Sequence, residues 1–455
     1  MAYYRLKKGY DIRIAGEAEK LLERAPFPEA VGVYTADFYG MTPKPLVEGG
    51  EKVKVGTPLW RDRRRESLVV TSPASGTVAE VRRGERRALE AVIIRTDGKQ
   101  HSANLPAPPK RIGPPAQDAI IAALCATGLF PLIRQRAFAT VADPLVRPRD
   151  IFVTAMDTSP LAPDQGLIVQ GHEREFQRGI DVLASLTTGK VHLCIDGKPK
   201  ESSFPADINN AEIHHFEGPH PAGNVGVHIH HVAPVKGVND IVWHCTAQGV
   251  ILIGRYFITG APSFEVTVAV AGSAAARRRY VRTITGAALA SFAEPSGEAG
   301  PVRHISGNVL TGRNAGADGF LGFADTLVTL IPEAHKSVFL GWLAPGFSLE
   351  SVSASFISRL MPHRRFALDS NRNGSVRAFV ATGIYERLLP MDILPSFLLK
   401  SILAGDIEEM EKLGILEIAP EDFALCEYAC PSKTDIQRII RDGIDLMLRE
   451  TRETE

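Results

Sequence analysis

The chain has no lysine between Lys54 and Lys99. It has no run of about 18 uncharged apolar residues, so no apolar membrane span is expected, and the candidate Val338–Pro345 is far too short. The start, Met-Ala-Tyr-Tyr-Arg-Leu-Lys-Lys-Gly, lacks the apolar core of a signal peptide. Charge of one sign is not in excess: Lys+Arg and Asp+Glu each number 52, and no long stripe or tail breaks the balance. A nucleic-acid partner is therefore not expected, and the basic groups Arg61–Arg65, Arg82–Arg87 and Arg277–Arg279 read as solvated faces. The five cysteines are scattered and odd in number, which points to a reducing compartment. No Gly-x-Gly-x-x-Gly follows a strand pattern, and no serine or cysteine nucleophile has a recognisable base.

What is present begins with Val69–Arg87, read as a strand, a tight turn at Pro73–Gly76 and a second strand to Val81. Glu48–Leu59 supplies another short strand with turn residues on both sides. Two short hairpins of this kind build the small barrel of biotinyl and lipoyl carriers, in which a lysine at the exposed hairpin tip bears the cofactor. Here the tip reads Asp62-Arg-Arg-Arg-Glu66, and a guanidinium cannot form the amide. The barrel carries nothing and is expected to serve as a docking or structural piece.

With 455 residues the chain should hold about three or four domains. Residues 1–30 form an N-terminal segment broken at Pro26-Phe-Pro28, and residues 31–103 form the carrier-like barrel. The proline-dense Leu105–Pro115 is an extended linker. Residues 104–262 suit a Rossmann-like α/β domain. Its expected parts are a helix over Ala116–Ala126 ended by Gly128, a buried strand at Asp150–Met156, a helix over His172–Leu186 and a strand at Lys190–Ile195. Ala211–Phe216 and Val225–His231 read as further strands, and Ile241–Phe257 as a largely helical element. Residues 263–336 suit a β-grasp, SLBB-like domain with strands at Phe264–Ala271, Arg303–Ile305, Val309–Thr311 and Leu327–Ile331. Residues 337–384 connect to a helical domain, 385–455. Its helices are Pro395–Ala404, Ile407–Leu413 capped by Asp406, Glu421–Cys430, and one capped by Thr434 or Asp435 with Ile436, Ile439, Ile440, Ile444 and Met447 on one face.

Chemistry is sparse. Gly128–Phe138 stands where a nucleotide-fold flavoprotein keeps its glycine-rich phosphate loop, yet only Gly128 remains among bulky Leu129, Phe130, Leu132 and Ile133. No flavin or NAD site is expected, and the Gly312–Gly322 run reads as turns. Cys426 and Cys430 lie four apart before Pro431, but a cluster needs four ligands, and Cys125, Cys194 and Cys245 sit in different elements. They read as packed helix thiols. The histidines gather at His214, His215, His220, His228, His230, His231 and His244, with His228 and His230 on one face of the expected strand. Structural histidines are the better reading, and no metal site is expected. Two apolar-aromatic segments, Val31–Met41 and Gly128–Phe138, offer flat walls with isolated donors, as a quinone ring needs. Candidate contacts are Tyr34, Phe38, Tyr39, Leu129, Phe130 and Arg134, with Arg136 a further donor. The bland alternative is packing between domains.

Lys7–Gly16, Ser72–Val78, Arg83–Arg87, Thr127–Phe130, Ile151–Leu161, Glu217–His228, Ile305–Gly312 and Cys426…Cys430-Pro431 run in one order over nearly the whole chain. In these segments it resembles the family of A subunits of the bacterial sodium-translocating NADH:quinone reductase. It departs locally at Arg61–Arg65. The resemblance implies a cofactor-free peripheral subunit on the cytoplasmic side of the inner membrane, linked to the quinone end. Its partners would be the other subunits, especially the membrane ones, and ubiquinone. NADH, flavins and iron–sulfur centres would be handled elsewhere in the complex. The alternatives are a non-catalytic scaffold subunit of the same complex, or an electron-input subunit of a related electron-transport complex.

Overall fold

The computed structural model describes residues 2–198, 204–205, 207–297, 300–334, 345–353, 355–380 and 382–454. Most of Val338–Pro345 and part of the connecting region lie outside them. The first thirty residues are not a separate piece. β1 (Ala2–Arg5) and β2 (Leu22–Arg24) become edge strands of two different sheets.

The barrel follows, with β3 (Ala30–Tyr34), β4 (Pro43–Pro45), β5 (Lys52–Val53), β6 (Pro58–Asp62), β7 (Val69–Thr71), β8 (Gly76–Arg83) and β9 (Leu89–Thr96). Two sheets, ordered β3-β9-β8-β5 and β4-β6-β7, face each other around Val31, Leu59, Trp60, Val70 and Ile94. Pro73–Gly76 does not close a hairpin between neighbours, because it carries the chain from one sheet to the other. Gly76 is required there, since a Cβ would lie 2.0 Å from the Arg95 carbonyl oxygen. The 62–66 tip is not free either. Asp62 is buried and accepts from Thr42 N at 3.0 Å and Arg65 Nε at 2.8 Å, while Arg65 Nη2 donates to Gly40 O at 3.1 Å.

The α/β unit contains α1 (Gln117–Thr127), β10 (Arg134–Arg136), β11 (Thr140–Val141), β12 (Ile151–Ala155), α2 (Gln165–Val169), α3 (Glu173–Ala184), β13 (Val191–Asp196), β14 (Glu212–Glu217), α4 (Val225–Val232), β15 (Val242–Thr246) and α5 (Ala247–Thr259). Its sheet runs β1-β14-β13-β12-β15-β10-β11, parallel from β1 to β15 and antiparallel at β10 and β11. Strand order reverses between β12 and β15. Both faces of β12 are buried, as a parallel strand requires. Ile151, Val153 and Ala155 join the core that includes α3 and α5, while Phe152 joins a second core with α4 and the C-terminal helices. α3 and α5 approach closely through glycine: a Cβ on Gly254 would sit 1.8 Å from Glu175 O, and one on Gly179 would sit 2.2 Å from Val250 O.

One reading of this region needs correction and another gains detail. Val225–His231 is helix α4, not a strand; its alternation is deceptive because His228, at a nominally polar position, is fully buried. Ile241–Phe257 is a strand followed by a helix. The break falls at Thr246, whose side chain accepts from Gly249 N and caps α5.

Counting the barrel's pair as one, the third sheet is β19-β18-β20-β16-β17-β2, built from β16 (Glu265–Ala271), β17 (Arg279–Ile284), β18 (Val302–Ser306), β19 (Arg313–Asn314) and β20 (Leu327–Pro332). Val309–Thr311, expected as a strand, is a turn in which Asn308 Oδ1 accepts from Leu310 N and Thr311 N. Helices α6 (Ile384–Leu388), α7 (Pro395–Ala404), α8 (Ile407–Lys412), α9 (Ala424–Ala429) and α10 (Ile436–Thr454) complete the chain. Asp406 caps α8 through Glu409 N at 3.1 Å. α10 buries Ile436, Ile440, Ile444 and Met447 against α7, whose Leu398, Leu399 and Ile402 share the same core, with Ile439 at its margin. No helix among the described residues is long and apolar enough to cross a membrane.

Candidate functional site

The two candidate segments meet where Asp37 and Tyr39 face Arg134 and Val141. Val141 N donates to Tyr39 O at 2.9 Å and Arg134 Nη2 to Asp37 O at 3.1 Å, joining the barrel segment to β10 and β11. Asp37 is in turn bolted to the third sheet, accepting from Arg313 Nη1 at 2.8 Å and Phe323 N at 2.9 Å. Burial raises the pKa of its carboxyl, an effect the Arg313 charge opposes. The Arg313 guanidinium lies 3.8 Å over the Tyr34 ring, and that of Arg441, on α10, lies 3.6 Å over Tyr39. The Tyr39 hydroxyl donates to Asp445, and burial helps push its pKa up to about 12, so it stays a donor.

The apolar candidates do not line an opening. Leu129 and Phe130 are 0 % exposed and belong to the core. Phe130 meets Trp243 edge-on at 5.5 Å, and Phe38 is held between Trp60 and Phe323 at 5.7 and 4.7 Å. Only Tyr34, Tyr39 and Arg134 keep part of their surface exposed. A cavity of about 530 Å³ lies elsewhere, at the seam between the barrel and the third sheet near Phe27, Pro73, Phe264 and Arg282.

The position of a phosphate loop is filled as well. Gly128 ends α1 in a left-handed conformation, φ 72°, and a Cβ there would meet Thr71 Oγ1 of the barrel at 2.3 Å. Where the strand order reverses, the backbone donors that a diphosphate would use are already taken. Asp157 Oδ1 accepts from Ser159 N at 2.8 Å, Asp164 Oδ1 from Gly166 N at 3.0 Å, and Thr246 Oγ1 from Gly249 N at 3.2 Å. Two of the three acceptors are carboxylates, which would also repel a phosphate.

A second polar cluster, missed in the sequence because its members are 108 and 285 residues apart, lies between β10, β15, α4 and the C-terminal helices. Arg136 is 1 % exposed. Its Nη1 lies 3.2 Å from His244 Nε2 and its Nη2 donates to Glu421 Oε1 at 2.9 Å. Burial holds His244 well below its ordinary pKa, so it is neutral and its Nε2 accepts. Asp422 accepts from Ala419 N at 2.9 Å and Asn224 Nδ2 at 3.2 Å, and burial pushes it up to about 6 against the pull of Arg136 3.9 Å away.

The histidine-rich segment is a staple for the same contact. His228 Nε2 donates to Ala222 O at 3.0 Å, and His231 Nε2 to Pro390 O at 2.8 Å. His230 Nε2 accepts from Asp392 N at 3.0 Å, which places its proton on Nδ1, facing Glu417 Oε2 at 2.6 Å. His228 and His230 therefore belong to a helix, and each has its own protein partner. Cys426 and Cys430 are buried around Tyr385, whose hydroxyl donates to Cys430 Sγ at 2.9 Å. Cys125, Cys194 and Cys245 are buried in other elements.

Three family descriptions match this architecture in chain order. An NqrA N-terminal barrel-sandwich hybrid domain covers residues 4–97, an NqrA second alpha/beta domain residues 116–262, and an NQRA C-terminal domain residues 267–317. The A subunit of the Na(+)-translocating NADH-quinone reductase of Shewanella amazonensis is 37% identical over 98% of this chain and 99% of its own. The Hahella chejuensis protein of that name is 38% identical with the same coverage. That of Rhodopirellula baltica is 37% identical over 98% of each chain. The similarity covers nearly the whole chain, so the chain belongs to the family of A subunits of the Na(+)-translocating NADH-quinone reductases.

Proposed function

We propose that the chain is a peripheral subunit of a membrane complex that oxidises NADH with ubiquinone and exports sodium. It sits on the cytoplasmic side of a bacterial inner membrane against the membrane subunits and contributes near the quinone-reducing end. The observation that carries this reading is the relationship to named subunits over 98% of the chain. The lack of a spanning helix among the described residues supports a peripheral place.

The chain binds no flavin, iron–sulfur cluster or NAD of its own. The satisfied donors at the strand-order reversal and the packed Gly128 turn support this. The α/β unit is then a Rossmann-like fold without its phosphate loop, within domains bounded at 31–103, 104–262, 263–336 and 385–455. For the quinone ring we favour the partly exposed Tyr34, Tyr39 and Arg134, with Phe38, Leu129 and Phe130 as the wall behind. Arg134 has N–H donors beyond the one given to Asp37 O, and a bond from it to a quinone oxygen would strengthen as the ring gains charge, while Tyr39, whose proton goes to Asp445, would offer its ring face.

Deleting the chain from membranes should abolish NADH-driven quinone reduction and leave NADH oxidation by an artificial acceptor largely intact. Loss of both activities in a complex shown to be assembled would overturn the placement at the quinone end. A second reading, a non-catalytic scaffold, is favoured by one observation: the candidate junction is closed by ion pairs and cation–π contacts, and its aromatic wall is fully buried.

A further inference from the structure

His192, Glu212 and His214 lie on adjacent parallel strands near their amino ends. His192 is directly opposite Glu212 in the β13–β14 register, and His214 is two residues beyond, on the same face as Glu212. His192 Nδ1 is 3.0 Å from His214 Nε2 and 3.7 Å from Glu212 Oε2, and one ligand atom from each of the three falls within 4.8 Å of the others. A tetrahedral zinc ion with bonds of about 2.0–2.1 Å holds neighbouring ligand atoms about 3.3 Å apart. The two separations from His192 lie within a few tenths of an ångström of that value, and the third, between Glu212 and His214, is within 4.8 Å and closes by rotation of the exposed Glu212 side chain.

The other nitrogen of His192, Nε2, faces Asp150 Oδ1 at 3.8 Å, too far for a hydrogen bond but close enough for the carboxylate to favour the ring proton on that side and leave Nδ1 as the acceptor. Asp150 is fixed by Lys190 N at 3.0 Å and Arg149 Nε at 2.9 Å. His214 Nδ1 is buried with no hydrogen-bond partner, so without a cation His214 Nε2 donates to His192 Nδ1, and a bound cation would shift the His214 proton to Nδ1. The rival for Glu212 is Lys190, an exposed ammonium that a divalent ion can displace.

We propose that His192, Glu212 and His214 bind one divalent transition cation, with zinc the best fit, and that the fourth position faces solvent beside the exposed Glu212. The site lies at the amino ends of β13 and β14, away from the carboxyl-end crevice where sheets of this type bind substrates. Its role is to clamp the two strands, and it stands independently of the assignment to the quinone end.

Zn²⁺ alone, titrated against the purified full chain with a colorimetric chelator as competitor, should fill one site. Glu212→Gln should weaken that site by about 10–100-fold, and the pair His192→Gln with His214→Gln should abolish it. Zn²⁺ should raise the melting temperature of the unaltered chain and not that of the paired variant. Co²⁺ in its place should show the visible bands of a four-coordinate nitrogen–oxygen site. If the paired histidine variant does not fold, Glu212→Gln decides alone, because its side chain is on the surface. Zinc affinity unchanged by Glu212→Gln, or no binding tighter than about 100 μM in the unaltered chain, would overturn the proposal.

Discussion

Two junctions hold the C-terminal helices to the rest of the molecule, built from the same residue types in opposite surroundings. At the first, Arg441 and Asp445 of α10 meet Tyr39 at a partly exposed edge. At the second, Arg136 is fully enclosed and faces Glu421, Asp422 and a neutral His244. Water screens the first, so each contact is worth little and can be altered with small cost to the fold. The second cannot be relaxed piecemeal, because removing one partner leaves a charge buried without compensation. The comparison separates where function can be tested cleanly from where a variant simply damages the structure. Of the quinone candidates, Tyr39 lies at the first junction and the partly exposed Arg134 beside it, whereas Phe38, Leu129 and Phe130 are buried.

The largest expected effect is therefore at the second. Arg136→Met should cost about 3–5 kcal/mol of unfolding free energy, measured by urea denaturation. A loss under about 1 kcal/mol would mean that Asp422, buried beside the part-exposed Glu421, is left without a cost and that the two junctions do not differ. Next comes pH. His228 is pushed down to about 3, and His220 and His214 to about 4, mainly by burial. The unfolded chain binds these protons near pH 6.5 while the folded chain resists them, so their stabilisation is complete above pH 6.5 and is lost as pH falls toward 4. Each contributes a slope of about 1.4 kcal/mol per pH unit in that window. Asp422 works in the opposite sense between about pH 4 and 6, but the histidines outnumber it. Melting temperature should therefore fall steeply below pH 6.5, and His228→Asn should flatten the slope. A slope unchanged by that substitution would show that His228 protonates freely in the fold. The smallest effect belongs to the first junction: Arg441→Ala should cost about 0.5–1 kcal/mol, and a loss of several kcal/mol would erase the contrast.

Parts of this organisation were legible in the sequence for definite reasons. The β12–α3–β13 unit stands out because a short apolar run, a 3.6-residue stripe and a second short run follow in order, each stopped by turn residues. Asp406 before Ile407 and the isoleucines of α10 likewise carry local signals that packing does not override. α4 was not legible. Val225-Gly-Val-His-Ile-His-His alternates like a strand, and only the buried site that receives His228 makes it helical. Nor could the sequence bring His192 to His214, or Arg136 to Glu421, since both pairings depend on which strands and domains lie side by side. The candidate junction was half legible. The sequence named the segments that meet there, but not that Leu129 and Phe130 belong to the core.

The measurement that bears most directly on the account is the quinone dependence of the assembled complex carrying Arg134→Ala, with Tyr39→Phe as a milder companion. Arg134 is partly exposed, so assembly and NADH oxidation by an artificial acceptor should be retained. The account predicts a quinone KM raised by about 5–100-fold, the range of about 1–3 kcal/mol expected for a contact at a binding site. Unchanged quinone KM and kcat in both variants, in complexes shown to be intact, would contradict it and leave the chain as a scaffold.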